Sequence, residues 1–142
     1  MNSNSKNPHV GAEFQRIVKE KLEEKYNKTF DMEKKIAIGT PSKEHKFDIV
    51  AADNTMAIEC KCYSWTVSGN VPSAKMGFVN EAAFYLSFLP DTYDKYIIMS
   101  KAIHEKRTET LAEYYYRMNK HLLGNIKVAE YDSKTKDFRV LC

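Results

Sequence analysis

The stretch Lys46-Phe47-Asp48-Ile49-Val50-Ala51-Ala52-Asp53-Asn54-Thr55-Met56-Ala57-Ile58-Glu59-Cys60-Lys61 constrains the chain most. Two alternating runs flank Asp53-Asn54, a residue pair that tolerates the left-handed conformation of tight turns. The pattern predicts a β-hairpin. With the turn at those two residues, Asp48 stands opposite Glu59 and Lys46 opposite Lys61. Because side chains alternate faces along a strand, Asp48, Glu59 and Lys61 are expected on one face. Phe47, Ile49, Ile58, Cys60 and Cys62 are expected on the other, toward a core.

Directly opposed carboxylates have Cβ atoms about 4.5–5.5 Å apart and repel each other. A divalent cation offsets that repulsion, and hard oxygen ligands select Mg²⁺, or Mn²⁺, over softer metals. A lysine two residues after the second carboxylate can reach a metal-bound water or a phosphate oxygen. Such a set suffices for metal-assisted phosphodiester hydrolysis. The competing reading is a salt-bridge ladder of Lys46, Asp48, Glu59 and Lys61 on a solvated hairpin. Val50 and Ala57 weigh against it, because they place apolar groups on the same face.

Around this hairpin the chain reads as one domain, residues 8–142, which suits its 142 residues. Residues 1–7 read as a disordered tail without the apolar stretch of a signal peptide. Asn7 is a good N-cap and Pro8 a good first helical residue. Val10, Phe14, Ile17, Val18 and Leu22 then form one apolar helix face. Extended runs are expected at residues 30–39, 46–51 and 56–63. After a loop at 64–72, Ser73 can cap a second helix carrying Met76, Val79, Ala83, Phe84 and Leu86 and stopping at Pro90. Residues 96–99 read as a buried strand. A third helix follows on a stripe of Leu111, Tyr115, Met118 and Leu122, closed by Gly124. Residues 125–131 and 137–141 read as two closing strands. Helix, three strands, helix, strand, helix and hairpin argue for an α/β protein with helices on both faces of a central sheet.

A net charge of +3 is too small to require a polyanionic partner. The three cysteines, Cys60, Cys62 and Cys142, are odd in number, and the first two are too close along an extended run to bridge each other. A reducing, cytoplasmic setting is expected. No segment approaches the roughly 18 apolar residues of a membrane span.

Asp48, the Glu59-Cys60-Lys61 triplet and the order helix, strand, strand, strand, helix, strand resemble the PD-(D/E)xK nuclease superfamily. The resemblance covers roughly residues 8–100 as architecture but only a few residues as motif, and Phe47 stands where the nominal proline would be. It implies a restriction-endonuclease-like three-layer α/β sandwich and a Mg²⁺-dependent DNA endonuclease leaving 5′-phosphate and 3′-hydroxyl ends. Asp48 and Glu59 would be metal ligands, joined by the backbone carbonyl of Cys60. Lys61 would act on the attacking water. The first helix usually adds an acid, and Glu13 fits that role better than Glu20, which lies two turns later.

Further contacts to nucleic acid are expected from Lys46, from Lys75 at the start of the second helix, and from Lys101 and Arg107 in a basic segment with His104 and Lys106. Trp65 can stack on a base or cover the core. His45 can meet a phosphate or be an ordinary surface histidine. DNA is the expected partner, with RNA left open. A homodimer is expected, because so small a domain has little surface for a duplex. The rival reading is a catalytically inactive nucleic-acid-binding module with the same fold.

Overall fold

The computed structural model describes residues 8–142, so the tail at 1–7 and the Asn7 cap lie outside the described residues. Helix α1 (Pro8–Tyr26) leads into β1 (Phe30–Ile38), β2 (Lys43–Ala51) and β3 (Met56–Lys61). Next come α2 (Ser73–Ser87), β4 (Asp94–Ser100), α3 (Leu111–Asn119), a 3₁₀ turn (Lys120–Leu122), β5 (Lys127–Asp132) and β6 (Asp137–Val140). The strands form one six-stranded mixed sheet in the order β1-β2-β3-β4-β5-β6. β3, β4 and β5 run parallel to one another, and the remaining pairs are antiparallel. The chain is therefore an α/β protein, as the element order predicts.

The layers follow from the connections. α2 and α3 are both crossovers between adjacent parallel strands advancing in one direction, and the fixed hand of such crossovers places them on one face. There Val79, Leu86, Leu111 and Tyr115 pack on Phe47, Val50, Ala57, Ile97, Met99 and Val128. α1 covers the opposite face, where Phe14, Val18 and Leu22 meet Ile49, Ile58, Ile98 and Ala129.

Several expectations need correction. Phe47 lies with Val50 and Ala57 on the α2 side, not with Ile49. The strand turns over at Asp48, beside Glu33 of β1, whose φ of 54° is left-handed and breaks the alternation. Ser73 is the first residue of α2 rather than its cap; the cap position is Pro72, with no side-chain bond. Phe84, Met118 and Leu122 are exposed, at 63%, 48% and 59%, so they lie off the buried stripes. α2 is apolar on more than one side, and spacing alone does not say which side is inward. Cys60 and Cys62 pack partly buried on the α1 side, as expected, and all three thiols are free.

A polar knot ties α3 to the closing hairpin. Thr110 caps α3 in a reciprocal box with Glu113. Its hydroxyl also donates to Glu130, which is 2% exposed and accepts from Arg139 at 2.9 Å. Glu130→Ala is expected to cost about 2 kcal/mol, because it strands a buried hydroxyl and removes the carboxylate beside Arg139. A lowered denaturant midpoint at unchanged slope measures it.

Candidate active site

The predicted hairpin register is the observed one. β2 pairs with β3 at Ile49–Ile58 and Val50–Ala57, and the turn holds Asn54 at a φ of 59°. The next rung would be Asp48 with Glu59, but there side chains replace the backbone ladder. The Cys60 amide donates to Asp48 Oδ2 at 2.8 Å, and the Asp48 amide donates to Glu59 Oε2 at 3.1 Å. Two carboxylates thus sit between parting strands, each satisfying a main-chain N–H of the other strand. Past this point β2 leaves β3 and continues with β1 alone out to the Ile38–Lys43 rung.

Glu59 is 5% exposed. Burial first, and then the Asp48 carboxylate, pushes its carboxyl up to about 9, while Lys61 pulls weakly the other way. Two adjoining carboxylates of which one resists ionisation are the electrostatic state that a cation relieves.

Three further side chains complete the site. Gln15 of α1 donates from Nε2 to the Asp48 carbonyl at 2.9 Å. His45 approaches Glu59 Oε1 with Nε2 at 3.2 Å; its ring stacks on Tyr85 of α2 at 3.7 Å and meets the Phe47 ring edge-on. Burial holds this imidazole below its ordinary value. Tyr63 has two ammonium groups near its ring, Lys61 at 5.9 Å and Lys75 at 5.5 Å. Lys75 thus stands on the rim beside Lys61, where the sequence reading expects a phosphate contact.

The remaining sequence candidates are placed elsewhere. Glu13 is bound to Arg16 by two hydrogen bonds, at 2.8 and 2.9 Å, and is exposed. Glu20 also pairs with Arg16. The α1 side chain hydrogen-bonded beside the carboxylates is Gln15, not an acid. Trp65 is 3% exposed and donates to the Ala102 carbonyl, so it covers the core and offers no face to a base. Arg107 lies over the Trp65 ring at 4.3 Å and donates to the Gly69 carbonyl at 2.8 Å. With His104 on the Val67 carbonyl, it pins the 64–72 loop to the segment after β4. Gly69 is required there: its φ is +88°, and a Cβ would lie 3.0 Å from the His104 ring. Lys101 pairs with Asp132, and Lys46 with Glu33, both at 3.4 Å. His45 and Tyr63 were findable only in part, from their places just before and just after the hairpin motif. Gln15 gives no chemical signal in the sequence.

Among the described residues, no three or more His, Cys, Asp or Glu side chains gather into a metal-binding group. The adjoining carboxylates are two, Asp48 and Glu59. Such a pair would be too small for a structural zinc site and would suit Mg²⁺, which keeps several waters and takes one or two carboxylates from a protein. No helix among the described residues is long and apolar enough to cross a membrane. No family model, curated protein or solved structure matches the chain.

Proposed function

We propose that this chain is a Mg²⁺-dependent DNA endonuclease with a restriction-endonuclease-like fold. The supporting observation is the Asp48–Glu59 pair seated between parting strands, with Lys61 on the same strand as Glu59. The helix-first order and the antiparallel β1-β2-β3 unit followed by parallel β4 agree with the superfamily pattern that the Asp48 and Glu59-Cys60-Lys61 motif resembles.

In this reading Asp48 and Glu59 hold the cation, with the Cys60 carbonyl as a further oxygen donor. When bound, Mg²⁺ polarises the phosphate and lowers the proton affinity of its water. The Gln15 bond to the Asp48 carbonyl fixes the main chain at Asp48, and the Cys60 amide fixes one carboxylate oxygen of Asp48. His45 limits the rotation of Glu59. Lys61 orients the attacking water or takes its proton, and Lys75 across the Tyr63 ring holds a phosphate oxygen. A second copy of the chain, with one site per strand, belongs to this reading only for duplex substrates.

One observation favours the rival reading, a binding module without turnover: α1 presents Gln15 where an acid is expected, and Glu13 is held by Arg16. A panel of linear, circular, branched and single-stranded DNA, and of RNA, with and without Mg²⁺ or Mn²⁺, decides between them. Metal-dependent cleavage of DNA is expected, falling about a hundredfold or more in Lys61→Ala. No product from any substrate with either metal leaves the binding module.

A further inference from the structure

Beside the carboxylate pair, the β1–β2 hairpin and the C-terminal half of α2 enclose an open cleft of about 410 Å³. Its lining includes Ile38, Lys43, His45, Lys46, Tyr85 and Phe88. Three features distinguish it. The cleft already contains a pile of flat rings, His45 on Tyr85 at an interplanar angle of 9°. Phe88 adds a ring that is 45% exposed, although a side chain of that size is ordinarily covered. The walls carry Lys43, which has no carboxylate partner among the described residues, Lys46, which pairs with Glu33 at 3.4 Å, and the carboxylate of Glu44. One side chain separates the cleft from the candidate active site: the His45 in its wall meets Glu59 at 3.2 Å.

Flat rings beside the Lys43 ammonium, one imidazole away from a pair of carboxylates, match one chemistry: a nucleobase with a phosphate next to it. Stacking platforms between lysines are how unpaired strands are held without regard to sequence. A base inside a duplex cannot use the cleft, since its faces are covered by its neighbours and its edge by its partner. We infer that the cleft bounded by Tyr85, Phe88, His45 and Lys43 binds an unpaired nucleotide next to the phosphate presented to Asp48 and Glu59, so that the substrate is single-stranded nucleic acid or a duplex with an unpaired base. The inference rests on the nuclease reading for the role of the neighbouring phosphate, but not for binding itself.

The test is binding of the full chain to a fluorescein-labelled oligothymidylate, to the same strand annealed to its complement, and to a version carrying abasic sites. Fluorescence anisotropy is read in EDTA, so that no cleavage intervenes. The single strand is expected to bind about tenfold more tightly than the duplex or the abasic strand. Phe88→Ala should weaken binding of the oligothymidylate about tenfold and leave the abasic strand within about twofold. Lys43→Ala should weaken both strands alike and lower the slope of log affinity against log salt by about one. Both side chains are exposed, and circular dichroism of each variant confirms that the fold is kept. Equal affinity for duplex and single strand, or an unchanged affinity in Phe88→Ala, overturns the inference. Cleavage is read separately on the same strands. Binding with the expected pattern but no cleavage removes the nuclease reading and leaves the cleft; cleavage of duplex with no response to Phe88→Ala does the reverse.

Discussion

Asp48→Asn is expected to reduce metal-dependent cleavage about a thousandfold or more, equivalent to roughly 4 kcal/mol in the barrier. Asparagine is the informative replacement. Its carbonyl oxygen can still accept the Cys60 amide, a contact of 2.8 Å that alanine would abandon between the parting strands. What it removes is the negative charge that Glu59 faces. Thermal unfolding without metal should therefore show Asp48→Asn as stable as the parent, or more so, at neutral pH. Loss of cleavage with preserved or raised stability identifies a ligand. Comparable losses of both would make Asp48 a structural residue and remove the cation site.

The second large effect is a dependence of stability on pH. The Glu59 carboxyl stands at about 9 in the folded chain against an ordinary 4.5, so the folded state holds the proton more tightly than the unfolded one. Stability is then greatest below pH 4.5 as far as this group is concerned, and falls as pH rises from there toward 9. Each pH unit inside that window costs up to about 1.4 kcal/mol, so by pH 7 the group costs about 3 kcal/mol. Glu59→Gln should remove this slope. Mg²⁺ should offset it in the parent and have no effect in the variant, because it binds the folded ionised form. Urea midpoints from pH 5 to 9, with and without Mg²⁺, measure both. A parent whose midpoint is flat across that range would show that the buried pair carries no such strain.

The hairpin was legible because two local signals agreed. Asp53-Asn54 marked the turn, and alternation around it set a register that the Ile49–Ile58 rung reproduces. That register brings Asp48 opposite Glu59, although the ladder ends one rung earlier and side-chain bonds to the Cys60 and Asp48 amides take its place. The face of Phe47 was not legible, because the reversal at Asp48 depends on Glu33, a residue of the neighbouring strand in an unusual conformation. The choice between Glu13 and Gln15 was hidden for a different reason. They flank Phe14 on either side, and apolar spacing fixes the inward direction of a helix but not which flank meets the main chain at Asp48. The alternation places the start of the second strand at Lys46 and leaves His45 outside it, whereas pairing with β1 carries the strand back to Lys43. The cations expected on nucleic acid divide by partner. Arg107 and Lys101 are engaged in holding loops, as only tertiary contacts reveal, while Lys61 and Lys75 gather at one ring.

Every strand of the sheet lies beside the strand that precedes it in the chain. No strand has to insert between two that are already joined, so the sheet can grow from one edge in the order of synthesis. The antiparallel unit that carries the acids needs only short closures and can form first on a ribosome. The α2 crossover then adds β4 to an existing template and brings Tyr85 against His45. On such a route the carboxylates are in place before the wall of the neighbouring cleft, and the nascent chain brings its two acids together earlier than it stacks His45 on Tyr85.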